Sequence, residues 1–292
     1  MKIAVITGAS SGMGREFVKQ ISQNYRFLDE IWVIGRSEEK LRSLQKEVNS
    51  RLRILPMDLR EKESQEYLRT ALAAEQPRIK LLVNAAGMGK IGDVSELTMN
   101  AQRAEIRLNC EALTAVTYHC LPYMHRRSRI IQMASASAFV PQPGFAVYAA
   151  TKSYVLSLSR ALRAEVKKQG ITVTSVCPGP VDTPFFEGAG KLHPMADYKK
   201  RVMAEPSDVV EKAVRDAAAG RAVSVYGGSM KAFRILCKLI PHAFMIAAAE
   251  FLKRKGDSEV SPRQILIKPH GSGREANLKN REGEKTNESR KR

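Results

Sequence analysis

The feature that most constrains this chain is an alternation. Seven short apolar runs, 2-KIAVIT-7, 30-EIWVI-34, 53-RILPM-57, 80-KLLVN-84, 129-RIIQMA-134, 171-ITVTSVC-177 and 222-AVSVY-226, are separated by helix-length amphipathic segments. Each run is short and rich in β-branched residues or Leu, the composition of strands buried on both faces. The intervening patterns cover 12–24, 38–49, 61–75, 101–125, 148–169 and 207–219. Asn49 and Gly170 stand near helix ends, and Gly170 suits a left-handed C-terminal cap. Repeated strand–helix–strand units predict an α/β fold: one doubly wound parallel sheet of about seven strands in three α/β/α layers. With 292 residues the chain can bury a substantial core.

Two regions depart from the alternation. Residues 178–206 form a long connection opening with Pro178-Gly179-Pro180, and connections of that length carry function or move. The stretch 230–255 is apolar, helical in pattern and interrupted at Pro241, which makes it a C-terminal helical extension. The expected domain therefore spans 1–255, with 256–292 a polar basic tail, disordered from about Pro269 because it holds too little apolar surface to fold.

The formal net charge is +18, which suits anionic partners or, equally, a solvated basic surface. Neither a nucleic-acid motif nor a basic stripe interleaved with aromatics is present, so no nucleic-acid partner is expected. Cys110, Cys120, Cys177 and Cys237 form no C-x-x-C pair, and read as buried thiols in a reducing compartment rather than a disulfide framework or a metal site. The N-terminal apolar run is too short for a signal-peptide core, and no segment offers the run of about 20 apolar residues that spans a bilayer. These observations predict a cytoplasmic protein.

The first strand runs into 7-TGASSGMG-14, and a helix follows. Gly8, Gly12 and Gly14 permit a tight turn and close approach of backbone to a pyrophosphate, with Ser10, Ser11 and Met13 in the same turn. The helix N-terminus adds N–H donors and a favourable dipole. The second strand ends in 32-WVIGRS-37 with no carboxylate at its tip. Gly35 leaves space, Arg36 supplies a planar donor fork and Ser37 a hydroxyl, a set that suits a 2′-phosphate and favours NADP(H) over NAD(H). Arg15 could add positive charge or be solvated. Asp58, at the end of the third strand, is placed to accept from an adenine amino group.

These residues and a further ordered series resemble the short-chain dehydrogenases/reductases, over about residues 1–255. The series is 7-TGASSGMG-14, Asp58-Leu59, 84-NAAG-87, Asn109, Ser135, 148-YAATK-152 and 178-PGPVDTPF-185. The resemblance implies a Rossmann-type fold and an oxidoreductase. It implies that Gly8, Ser10, Gly12, Met13 and Gly14 line pyrophosphate and ribose, and that Asn84, Ala85 and Gly87 run along the adenosine ribose and help fix the sheet. It makes Tyr148 the acid/base and Lys152 the ligand of the nicotinamide ribose. Ser135 would bond the substrate oxygen, and Asn109 would hold a relay water. Pro178, Val181 and Thr183 would hold the carboxamide. Ser135 has the family's thirteen-residue separation from the tyrosine, so Ser137 is left as a substrate-pocket or structural residue. A homodimer or homotetramer through the helices at 101–125 and 148–169 is likewise implied by resemblance.

Chemistry gives those roles content. A tyrosine of ordinary pKa, about 10, is a reluctant base, and a nearby ammonium favours its phenolate. Lys152 follows Tyr148 by four residues and shares its helix face, whereas Tyr154 points elsewhere and reads as a packing or interface aromatic. Residues 184–206 would form a substrate lid, with Phe185, Phe186, Leu192 and Met195 as apolar wall and Lys191, Lys199, Lys200 and Arg201 toward solvent. The expected substrate is a hydrophobic ketone or secondary alcohol of lipid, steroid or xenobiotic type. A 3-oxoacyl thioester is the alternative, and a non-catalytic NADP-sensing regulator is the rival class. Residues 230–255 suit a helical cover and dimer edge, which Pro241 favours, or a peripheral membrane contact flanked by Lys231, Lys253, Arg254 and Lys255.

Overall fold

Strands β1 (Lys2–Thr7), β2 (Glu30–Gly35), β3 (Leu52–Pro56), β4 (Arg78–Asn84), β5 (Met124–Met133), β6 (Thr172–Val176) and β7 (Val223–Ser224) form one sheet in the order β3-β2-β1-β4-β5-β6-β7. Every neighbouring pair is parallel. The computed structural model describes residues 1–185 and 203–247. The strand order reverses between β1 and β4, and in open sheets of this kind the crevice beyond the strand C-termini at that point is where ligands bind.

The period-two alternation explains how the strands feed two cores. Ile3, Val5, Trp32 and Ile34 enter one, while Ala4, Ile6, Ile31 and Val33 enter the other. Helices α1 (Gly12–Asn24), α2 (Glu38–Ser43) and α7 (Pro206–Ala218) cover the second face with Phe17, Ile21, Leu41 and Val210. Helices α3 (Lys62–Glu75), α5 (Leu113–Cys120) and α6 (Ala146–Glu165) cover the first with Leu68, Leu72, Val116 and Leu162. Ser37 starts α2, its Oγ accepting from Lys40 N at 3.3 Å. Gly170, at φ +70°, closes the turn after α6 in the expected left-handed conformation.

The single helix expected over 101–125 is broken. It becomes α4 (Met99–Ile106), a π-helical turn over Arg107–Ala112, and α5, which ends at Cys120. Pro122 lies in the 3-10 turn Leu121–Tyr123, and the chain enters β5 at Met124, five residues before the expected strand. The early start escapes a hydrophobicity reading because 125-HRRSR-129 is polar. Its geometry is irregular: Arg127 is left-handed at φ +69°, and Ser128 Oγ donates to Ile79 O at 2.7 Å. The helix expected over 38–49 likewise stops at Ser43 and tightens into a 3-10 turn over Leu44–Lys46. Helix α8 (Gly228–Leu239) begins the C-terminal extension and ends before Pro241. Most of the 184–206 lid and everything from 248 onward, including the tail, lie outside the described residues.

Candidate active site

The glycine turn is shaped by contacts that only glycine tolerates. Gly8 has φ +69°, and a Cβ there would stand 2.7 Å from the Ala86 nitrogen. A Cβ on Gly14 would stand 2.1 Å from the Gly8 carbonyl oxygen, so α1 starts hard against the turn. Gly12, at φ +52°, faces Thr183 across a gap that a side chain would fill. Around this turn is a cavity of about 450 Å³. Gly8, Ser10, Ser11, Gly12, Met13 and Gly14 form its floor. Gly35, Arg36, Asp58 and Leu59 line one end, and Ala85, Gly87 and Thr183 lie toward the other.

The charged groups at that cavity are not all available. Arg15 is engaged elsewhere, with Glu47, Ser43 Oγ at 3.0 Å and the Lys40 carbonyl at 3.0 Å. Arg36 is exposed at the cavity rim. Arg60, not singled out by sequence, also lines the cavity and grips Asp58 with Nε at 3.0 and 3.1 Å from its two oxygens. The hydrogen bond from Arg60 holds the Asp58 carboxyl below its usual range, helped by the field of Arg36. Ser37 caps α2 and does not line the cavity.

A second cavity of about 290 Å³ shares Met13, Ala85, Gly87, Thr183 and Phe185 with the first. Ser135, Ser137, Tyr148, Lys152, Pro178 and Val181 all reach it. Ser135 stands two residues after β5, at the start of a 3-10 turn, and α6 carries Tyr148 and Lys152 one turn apart. The Ser135 side chain stands near enough to the Tyr148 hydroxyl to favour its phenolate, while Ser135 Oγ accepts from Ser137 N at 3.1 Å. Lys152 Nζ donates to Met133 O at 2.8 Å and stands 5.6 Å from the centre of the Tyr148 ring. Burial pushes the Tyr148 phenol up to about 12, against a smaller downward pull from the Ser135 hydrogen bond. Burial drags the Lys152 ammonium down to about 8. Burial is the largest influence on both groups.

Asn109 and Asn84 sit behind the cavity walls rather than on them. Asn109, in the π-helical turn, donates to Met88 O at 2.7 Å and Thr151 Oγ1 at 3.0 Å, and accepts from Met88 N at 2.9 Å. Its carboxamide thus ties the π turn to α6 and to the loop after β4. A Cβ on Gly87 would lie 3.3 Å from both Asn109 Oδ1 and Lys152 Nζ, which brings the asparagine close behind the lysine. Asn84 donates to Thr117 Oγ1 and Gln132 Oε1 and fixes the sheet from within. Ser137 donates from Oγ to Gln142 Oε1 at 3.2 Å, so it serves both cavity wall and local structure. Tyr154, 42% exposed, bonds Thr114 Oγ1 at 2.8 Å and stays clear of the site.

Apolar walls close around the tyrosine. Phe145 stacks on its ring at 4.2 Å between centroids, and Phe185 tilts against it at 5.4 Å. Phe145, the N-cap residue of α6, was not singled out by sequence. Met230 and Phe233 of α8 complete the wall. The ends of the long connection are stapled: Ala204 N donates to Pro180 O at 3.0 Å and Asp182 N to Ala204 O at 3.1 Å. Phe186, Leu192, Met195 and the four lid cations lie outside the described residues. Among the described residues no helix is long and apolar enough to cross a membrane, and no His, Cys, Asp and Glu cluster could hold a metal.

The short chain dehydrogenase family model matches residues 2–191. An uncharacterized oxidoreductase of Staphylococcus epidermidis is 30% identical over 215 residues, 73% of this chain and 89% of its own. Sulfoacetaldehyde reductase 2 of Chromohalobacter salexigens is 29% identical over 221 residues, 72% of this chain and 85% of the relative. Among solved structures, a variant of actinorhodin polyketide ketoreductase with NADPH is 27% identical, with a TM-score of 0.66 over 78% of this chain and 97% of that one. A short-chain dehydrogenase from Sphingobium yanoikuyae in complex with NADPH has the same fold, at 24% identity and a TM-score of 0.67 over 90% and 98% of the two chains.

Proposed function

The chain belongs to the short-chain dehydrogenase family, and from that premise we propose that it is an NADP(H)-dependent oxidoreductase interconverting an apolar ketone and its secondary alcohol. The observation that carries this reading is the meeting of the two cavities. A glycine cradle opens at Gly87, Thr183 and Phe185 onto a pocket holding Ser135, Tyr148 and Lys152. The cradle fits a nicotinamide cofactor, because side chains at Gly8, Gly12 and Gly14 would fill it or collide with its backbone.

When bound, such a cofactor supplies or accepts the hydride. The chain's own residues handle the oxygen and its proton. Tyr148, protonated across the neutral range, delivers a proton to the forming alkoxide. Ser135, which lines the same pocket as Tyr148, turns its hydroxyl to the same oxygen and stabilises its developing charge. Lys152 would hold the ribose hydroxyls of a bound cofactor and is placed to return a proton toward Tyr148, with Asn109 bracing the helix face behind it.

NADP(H) is favoured because Arg36 is exposed at the rim of a cavity with no carboxylate at the tip of β2. The NADPH of the polyketide ketoreductase structure points the same way. Replacing Arg36 by Asp is expected to weaken NADPH binding about tenfold or more, the size of a lost charge-assisted hydrogen bond, and NADH binding much less. Fluorescence titrations of both cofactors check this, and an unchanged ratio would remove Arg36 as the discriminator.

An apolar substrate of lipid, steroid or xenobiotic type is supported by Phe145, Phe185, Met230 and Phe233, which leave few polar groups beside the catalytic ones. The test is NADPH oxidation over ketones graded in size and polarity, with a 3-oxoacyl thioester in the set. Turnover confined to small polar carbonyls would sink the substrate class. Cofactor binding with no turnover of any carbonyl would replace the enzyme reading by a sensor.

A further inference from the structure

Among the described residues, the chemistry above leaves one fully buried carboxylate without a task. Glu105 is 0% exposed, on α4, four residues before Asn109. Neither of its oxygens has a well-formed hydrogen bond, and the peptide N–H of Lys90 is the polar group turned toward it. A carboxylate buried in this way is costly unless a counter-charge faces it.

The groups around it identify that counter-charge. Helix α4 packs on α6, and the charge of Glu105 acts on Lys152 and Tyr148 of α6 and on Cys110 of the π turn. Lys152 and Lys90 act back on Glu105. Cys177, at the end of β6, acts on Lys152 and Tyr148. Of these groups, Cys110, Cys177 and Tyr148 are all pushed up and stay neutral near pH 7. Lys152 is the buried cation, and its own hydrogen bond is to a neutral carbonyl, Met133 O.

We propose that Glu105 is the buried counter-charge of Lys152, a positioning residue that keeps the lysine an ammonium and so able to bind ribose and return protons. Its part in turnover rests on the oxidoreductase reading above; the pairing itself does not. The two groups titrate close together: burial pushes Glu105 up to about 7 and drags Lys152 down to about 8. Each charge favours the other, since the carboxylate raises the lysine and the ammonium lowers the glutamate. They form one coupled system in which losing either charge weakens the other.

The sign follows. Without the carboxylate, Lys152 loses its proton at lower pH, and the alkaline limb of activity moves down. In the full chain, Glu105→Gln keeps the shape and removes the charge. The expected result is an alkaline limb of kcat shifted down by about one pH unit, so that turnover at pH 8 falls roughly fivefold and turnover at pH 6 changes less than about twofold. Superimposable profiles would overturn the proposal. A second measurement needs no turnover: a carboxyl-carbon NMR titration, with the Glu105 signal assigned by its loss in Glu105→Gln. Its midpoint should lie near 7 in the native chain and rise in Lys152→Met. A midpoint in the ordinary carboxylate range, or one that Lys152→Met leaves in place, would overturn the pairing. A chain that turns over no carbonyl yet shows the coupled titration would instead retire the oxidoreductase reading.

Discussion

Tyr148→Phe is expected to lower kcat for ketone reduction by about 10²- to 10⁴-fold, the usual contribution of a positioned general acid, while leaving NADPH affinity within about twofold. The ring stays: it remains stacked on Phe145 and tilted against Phe185, so the pocket keeps its shape. Only the hydroxyl leaves, and with it the acidic proton that faces the Ser135 side of the pocket. Ser135 Oγ retains the Ser137 N–H at 3.1 Å, so its own geometry survives. Single-turnover kinetics and a fluorescence titration of NADPH separate the two effects. Turnover within tenfold of the native chain would remove Tyr148 from its role.

The same tyrosine fixes how the two directions depend on pH. A phenol pushed up to about 12 is protonated throughout the neutral range, so reduction, which uses the acid, should not vary with the state of Tyr148 below pH 9. Any alkaline loss in that direction should follow Lys152 near 8. Oxidation needs the phenolate, whose share rises about tenfold per pH unit below its pKa. The oxidation rate should therefore climb with pH until the loss of the Lys152 charge offsets it. Initial rates in both directions from pH 6 to 10 check this, and a reduction rate rising with pH would contradict the assignment of acid and base.

The fold was legible because its signal is redundant. Parallel strands buried on both faces read as apolar runs, and six amphipathic segments between them leave one economical topology. The glycine turn was legible because Gly8, Gly12 and Gly14 answer to backbone geometry that no other residue meets. What stayed hidden depends on contacts between distant segments. Nothing in 101–125 announces that the helix breaks at Arg107 to wrap Asn109 around Met88 O and Thr151 Oγ1. Glu105 looks like a solvated helix charge, and only the packing of α4 on α6 buries it. Arg60 looks like a surface residue after Asp58-Leu59 until it closes on Asp58 from two positions away. The raised pKa of Tyr148 was hidden for the same reason: burial is a property of the assembled pocket, and it is the largest influence on the phenol.

Gly14→Ala should be the most damaging single-methyl substitution in the glycine turn, and its cost is steric rather than conformational. The added Cβ would stand 2.1 Å from the Gly8 carbonyl oxygen and 2.6 Å from the Gly8 carbon. Both atoms are backbone, and Gly8 is itself pinned, its own Cβ position lying 2.7 Å from the Ala86 nitrogen. Relief therefore requires α1 to lift away from β1, which takes the helix N-terminus out of line with the cradle. The expected loss is about 3 kcal/mol or more, at the upper end of overpacking costs, corresponding to a fall in Tm of roughly 6–12 °C for a domain of this size. NADPH affinity should fall more than about tenfold, because the N–H donors of the turn move with the helix. Gly228→Ala is the control: it opens α8, and nothing lies within 4 Å of a Cβ there, so stability should stay within about 0.5 kcal/mol. Melting curves and cofactor titrations of the two variants side by side decide the matter. Equal behaviour would show that α1 can move freely against the turn, and that the close approach of Gly14 to Gly8 is not what holds the cradle in shape.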